Sequence, residues 1–268
     1  MNGIKESILL GIVQGATEFL PVSSSGHLVL IPALLNLPLP NLSFTMGLHL
    51  GTLFSLVVYF FRDILDLLKG FLSIFKKQRS SDEIFNLKLL GLIIIAVIPA
   101  SIFGVIFSDQ VDLLFSNPKT VSYLFLITAF FLFLASFLSN RSTRGLSEIN
   151  LKDALFVGIF QIISLLPGVS RSGSTITGGV VSGLKQEDAS KFSFLVAIPI
   201  ILGSSVLEIS GGTFGAFSAT DLFVGFFVSF AAGLASLFVF FPLIRKTKFY
   251  IFAIYCLILS IFGILHFN

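Results

Sequence analysis

Six stretches of this sequence, at residues 43–61, 89–107, 120–139, 190–207, 221–243 and 249–266, are apolar almost throughout and hold at most one charged side chain each. At about 1.5 Å of rise per residue, a helix of that length covers most or all of a hydrocarbon core about 30 Å thick. A bilayer offers the backbone no hydrogen-bond partners, so whatever crosses it must be a helix or a closed barrel. Unbroken apolar runs lack the two-residue alternation of a barrel. Composition agrees: 55% hydrophobic and 12% charged residues cannot supply a solvated surface for a soluble domain of 268 residues. The expectation is an all-α polytopic membrane protein with about six transmembrane helices, forming a single integral membrane domain over 1–268.

Two further regions, about 7–36 and 153–183, are apolar but interrupted by Pro, Ser and Gly, and each half is too short to cross. Re-entrant helix hairpins fit them, because a polar tip at membrane depth is tolerated only where protein or a water-filled cavity surrounds it. The first region is not read as a signal peptide. Its apolar stretch Ile8–Val13 is short, Glu18 follows, and no small-x-small cleavage site is present. The lone Cys256 excludes an intrachain disulfide, and a formal charge of +3 is too small and scattered to suggest nucleic acid.

The two broken regions match each other at a constant offset of 147. Gly11-Ile12-Val13-Gln14 answers to Gly158-Ile159-Phe160-Gln161, Val22-Ser23 to Val169-Ser170, and Ser25-Gly26 to Ser172-Gly173. Only the proline slips, Pro21 against Pro167. Internal duplication follows, with repeats of approximately 1–139 and 148–268. Of the 17 Lys and Arg residues, Lys5 and Lys119 fall on one side of the predicted layout, Arg171 lies in a break, and the other fourteen share the opposite side, which should be cytoplasmic. The repeats then have opposite topology, a pattern that points to a site between them near the bilayer midplane.

The reactive side chains gather at the breaks. Gln14 and Glu18 are four apart and share a helix face. Pro21-Val22-Ser23-Ser24-Ser25-Gly26-His27 opens the next half-helix, and Pro167-Gly168-Val169-Ser170-Arg171-Ser172-Gly173-Ser174-Thr175 does the same in the second repeat, with Arg171 in the place of Ser24. Hydroxyl and glycine residues at a helix start expose N–H groups and the positive dipole end, a geometry that binds phosphate. The same serines could serve only as N-caps. Glu18 and Arg171 could be a structural ion pair, although ionisable groups at membrane depth usually mark function. His27 is a candidate general acid or base, whereas His49, outside both breaks, is expected to be a packing residue. His266 is placed at an interface, and Lys76-Lys77-Gln78-Arg79 is a cytoplasmic anchor.

The pair of motifs, Gln14-x-x-x-Glu18-Phe19-Leu20-Pro21-Val22-Ser23-Ser24-Ser25-Gly26-His27 and Pro167 to Thr175, closely resembles the bacterial undecaprenyl-diphosphate phosphatases linked to bacitracin resistance. The resemblance runs over the whole chain. It implies hydrolysis of undecaprenyl diphosphate by a multi-pass plasma-membrane enzyme with an inverted-repeat fold and a site opening to the outer face. It also implies catalytic roles for Glu18, Ser24, His27 and Arg171. Gln14, Ser23, Ser25, Gly26, Ser170, Ser172, Gly173, Ser174 and Thr175 would surround the phosphates. The first motif position is commonly Glu in that family; an amide at Gln14 can position substrate or metal but cannot act as a base.

Two chemical routes stay open, attack by Ser24 or by water, with His27 activating either one. Glu18 would orient His27 or hold a divalent cation, Mg or Ca, across the phosphates. No organic cofactor is expected. The partners are the polyprenyl diphosphate and membrane lipids, and a homodimer is compatible with the sequence. The rival reading is a polyprenyl-phosphate transporter or flippase using the same phosphate site.

Overall fold

The computed structural model describes residues 3–210, 218–246 and 249–267. The described residues are helical with no strand beyond one isolated bridge, Arg144 with Leu184. Each broken region forms two helices, α1 (Gly3–Glu18) with α2 (Ser24–Leu34), and α8 (Leu151–Ile163) with α9 (Arg171–Ser182). The six apolar stretches become α3 (Leu42–Tyr59), α5 (Ser81–Ile106), α7 (Pro118–Leu138), α10 (Gln186–Ser210), α11 (Ala219–Lys246) and α12 (Tyr250–His266). Of these, α5, α7, α10 and α11 are long and apolar enough to cross a bilayer on their own. The 17 residues of α12 reach only about 25 Å at helical rise.

Two helices were not expected. α4 (Phe61–Leu72) turns away from α3 by 76° and carries Asp63, Asp66 and Lys69 beside exposed Phe61, Leu68 and Leu72. A short helix of two faces, bent off a span, suits the plane of a membrane interface. Lys191 at the start of α10 is ion-paired to its Asp63. The other addition, α6 (Ser108–Phe115), joins α5 to α7.

The distribution of polarity is the reverse of a soluble protein's. Phe137, Phe223 and Phe238 are more than 60% exposed on the outer surface, while Gln14, Gln161, Ser122, Ser229, Ser260, Thr128 and Thr177 are buried. Lipid tails are as apolar as Leu, so helices in a bilayer associate through close packing and interhelical hydrogen bonds. Ser229 Oγ accordingly donates to Leu48 O and Ser260 Oγ to Ser122 O, each at 2.7 Å or less.

Each hairpin lies against a long helix from the other half of the chain: α1 along α11, and α8 along α5. Small residues permit the approach. A Cβ on Gly15 would come within 2.6 Å of Ala232 and Ser229 O, and one on Gly158 within 2.9 Å of Ala96 O. The segment weighed as a signal peptide is therefore packed into the fold as α1. Near the chain's middle, Arg144 grips Asp153 at the start of α8 and donates to Ser182 O at the end of α9. That clamp fixes both ends of the second hairpin.

Candidate active site

The serine turns are built alike. Ser23 caps α2 by accepting from Gly26 N at 3.3 Å, and Ser170 caps α9 by accepting from Gly173 N at 3.0 Å. In each turn the capping hydroxyl lies 3.2 Å from the hydroxyl two residues on, Ser25 and Ser172. Helix geometry leaves the first-turn N–H groups of Ser24, Ser25, Arg171 and Ser172 without intrahelical partners. The positive φ falls at different places: Ser23 at 67° in the first turn, Gly168 at 91° in the second. At Gly168 a side chain is excluded, since a Cβ would meet Val121 O at 2.6 Å. Thr128 of α7 secures that turn by donating to Gly168 O and accepting from Ser170 N.

The two tips touch. Ser172 Oγ donates to Leu20 O across them at 3.3 Å, and a Cβ on Gly26 would lie 3.0 Å from Gly168 Cα. At their junction Arg171 Nη2 is ion-paired with Glu18 Oε1. The other carboxylate oxygen accepts from Ser24 Oγ at 2.5 Å and from Gln14 Nε2 at 2.9 Å. Three donors thus converge on one buried carboxyl. Both partners of the ion pair stand at the wrong pole of their helix, Glu18 ending α1 and Arg171 opening α9. Each offsets the other, and an anion arriving at the start of α9 would find a cation and a helix N-terminus together.

Glu18, Ser23, Ser24, Ser25, Ser170 and Arg171 line a cavity of about 200 Å³, closed on its other sides by His49, Phe115, Leu165, Ile200 and Ser204 among others. Arg171 Nη1 is buried with no hydrogen-bond partner. The guanidinium, committed to Glu18 through one nitrogen, thus has unused donor capacity beside the cavity.

Over residues 7–262 the chain matches the family described as Bacitracin resistance protein BacA. It belongs to that family. BacA-family relatives cover nearly all of it: an undecaprenyl-diphosphatase of Thermosipho africanus is 41% identical over 254 residues, 95% of this chain and 96% of that protein. An undecaprenyl-diphosphatase of Methanosphaera stadtmanae is 37% identical over 276 residues, 99% and 98% of the two chains. Undecaprenyl-diphosphatase 1 of Shouchella clausii is 35% identical over 260 residues, 96% and 94%.

Within this BacA-type fold, not every residue singled out from the motifs reaches the cavity. His27 does not line it. Its Nδ1 bonds Ser23 O at 2.7 Å, and its Nε2 bonds Tyr255 OH at 2.6 Å, with the Tyr255 ring stacked on the imidazole. The expected His27–Ser24 contact is therefore replaced by a Glu18–Ser24 contact. Gly26 packs on the Phe125 ring, Thr175 bonds Ser193 of α10, and Ser174 is fully buried. Gly173 and Ser172 serve the cap and the tip contact.

The residue that sequence reasoning misplaced is His49. It is not a packing residue: Nδ1 lies 2.7 Å from Gln14 Nε2 and 3.9 Å from Glu18 Oε2, and the ring lines the cavity. Gly51, whose Cβ would strike Phe226 O at 2.4 Å, lets α3 pack closely against α11 beside it. The signal was present, an ionisable residue inside an apolar span. The fit to a divalent cation is poor. Among the described residues no group of three or more His, Cys, Asp or Glu gathers. Glu18, the cavity's one carboxylate, is already engaged by Arg171, Ser24 and Gln14.

Proposed function

We propose that this chain is a membrane phosphatase that hydrolyses undecaprenyl diphosphate to undecaprenyl phosphate and inorganic phosphate, so returning the lipid carrier of cell-wall synthesis to use. The observation that carries the reading is the Ser24 hydroxyl bonded at 2.5 Å to a carboxylate, Glu18, that is itself held by the arginine of the opposite hairpin. The relatives' names supply the substrate class. The diphosphate enters with its charge on Arg171 and on the N-terminal N–H groups of α2 and α9. Ser24 Oγ then attacks the terminal phosphorus while its proton passes to Glu18. The bond from that phosphorus to the bridging oxygen breaks, Glu18 passes the proton to that oxygen, and undecaprenyl phosphate leaves with it. Water, deprotonated by the Glu18 carboxylate so regenerated, displaces the phosphoryl group from Ser24 as inorganic phosphate, and Glu18 returns the proton to Ser24 Oγ.

The tail need not leave the bilayer. An apolar cavity of about 350 Å³, lined by Phe103, Phe107, Val111, Leu114 and Ile162, shares Leu165 with the phosphate cavity and suits the first isoprene units. Phe115 and Ser204, which also line the phosphate cavity, lie toward the ends of their segments remote from the Lys- and Arg-rich side. The proposed substrate, a lipid carrier of cell-wall synthesis, assigns the chain to the plasma membrane, and the positive-inside rule then opens the cavity to the outer face.

Purified protein in detergent, given a polyprenyl diphosphate of eleven isoprene units with and without chelator, tests the reading. It predicts one phosphate released per polyprenyl phosphate formed. Lipid translocation in proteoliposomes without phosphate release would replace the phosphatase with the transporter.

A further inference from the structure

We infer that His49 is a substrate-binding residue, donating a hydrogen bond from Nε2–H to a phosphate oxygen, and that Gln14 fixes the ring in the tautomer this requires. The inference rests on the phosphatase reading for its ligand and on the geometry around Gln14 for its chemistry.

Gln14 is fully buried at the junction of α1 and α3. Its amide nitrogen carries two hydrogens and no lone pair to offer. One hydrogen goes to Glu18 Oε2 at 2.9 Å, leaving the other for His49 Nδ1 at 2.7 Å. Turning the amide round would set Oε1 against the Glu18 carboxylate and take a donor from it, a greater cost than the partnerless Oε1 of the present orientation. His49 Nδ1 must therefore accept, and the ring proton sits on Nε2. Nε2 has no protein partner among the described residues, and the side chain, 30% exposed, lines the cavity beside Glu18, Ser24 and Arg171.

The result is a neutral donor on a side chain that lines the same cavity as Arg171, whose Nη1 is also without a partner. The amide at Gln14 is what makes this possible. A carboxylate in its place would accept from Nδ1–H and leave Nε2 as a lone pair, which repels a phosphate oxygen. The Gln14 amide thus sets the polarity of a ring 35 residues away.

Two measurements test the inference. The first compares His49→Phe, which keeps a ring and loses the donor, with His49→Gln, whose amide can place an N–H near the Nε2 position. Phosphate release from polyprenyl diphosphate should show kcat/KM down about 10- to 100-fold in His49→Phe, mostly through KM, with His49→Gln recovering most of the loss. Equal kcat/KM in wild type and His49→Phe would overturn the inference and leave the phosphatase reading intact. The second needs no turnover and no folded variant. The 15N spectrum of histidine-labelled wild type should contain a ring with Nε2 protonated and Nδ1 bare whose Nε2 signal moves on adding methylenediphosphonate. A protonated Nδ1 at His49, or an Nε2 indifferent to the diphosphonate, would overturn it. If wild type releases no phosphate from the lipid yet Nε2 still answers to methylenediphosphonate, the phosphatase reading fails and the His49 donor stands.

Discussion

The two hairpins share a scaffold and divide the chemistry. Ser23 and Ser170 cap with the same bond to the glycine three residues on, and both hairpins lie against a long helix of the opposite half. At the offset of 147, however, Glu18 answers to Leu165, Ser24 to Arg171 and His27 to Ser174. Gln14 bridges Glu18 and His49 through Nε2, while its counterpart Gln161 makes only a 3.4 Å bond to Ala96 O; Oε1 is without a partner in both. On the proposed mechanism the first hairpin carries the acid–base and nucleophilic groups, and the second carries the cation. The two turns share their cap and differ in the side chains set on it, which teaches that the cap is structural and the proposed chemistry sits on it.

That division can be broken at its strongest point first. Ser24→Ala removes the attacking oxygen from the first hairpin and should lower turnover by at least about 1,000-fold, as loss of a nucleophile does elsewhere. Release of phosphate at a tenth of the normal rate or faster would favour attack by water. On the second hairpin, Arg171→Lys keeps the charge but loses the planar fork that serves Glu18 and the phosphate together, and should cost about 100-fold while the protein still inserts. Near-normal turnover would reduce Arg171 to a diffuse field.

His27→Gln sharpens the comparison within one hairpin. Because His27 bonds Ser23 O and Tyr255 OH and does not face Ser24, it positions the tip, and its loss should cost about tenfold with the shape of the pH–rate profile unchanged. A lost limb of that profile would restore His27 as the proton carrier. The smallest effect belongs to the idle counterpart: Gln161→Leu should change turnover by less than about twofold and leave thermal stability unchanged or raised, since it deletes a poorly satisfied buried amide. A clear loss of activity there would mean the hairpins are less specialised than their contacts indicate.

Much of this was legible in the sequence. The six apolar stretches and both broken hairpins fall where hydropathy and the Pro/Ser/Gly breaks put them, because in lipid the backbone has no other way to satisfy itself. The junction of Glu18 with Arg171 could be anticipated from the offset of 147. α4 and α6 were missed because a short interfacial helix carries neither the length nor the uniform hydropathy of a span. His49 carries a signal as an ionisable residue inside an apolar span, but the groups it meets are set by the packing of α3 beside α1, which local spacing does not show. His27 was over-read for the converse reason: being three residues from Ser24 on α2 says nothing of which way the ring turns, and here it turns to Tyr255.

The central claim is that one phosphate site is made from both tips, with Ser24 of the first attacking a phosphate held by Arg171 of the second. Rapid acid quench of the purified protein with polyprenyl diphosphate labelled in its terminal phosphate tests it directly. The account predicts label on the peptide containing Ser24 within the first turnover, and labelling slowed about 100-fold in Arg171→Lys. Absence of label on Ser24 while phosphate is released, or labelling at an unchanged rate in Arg171→Lys, would contradict it.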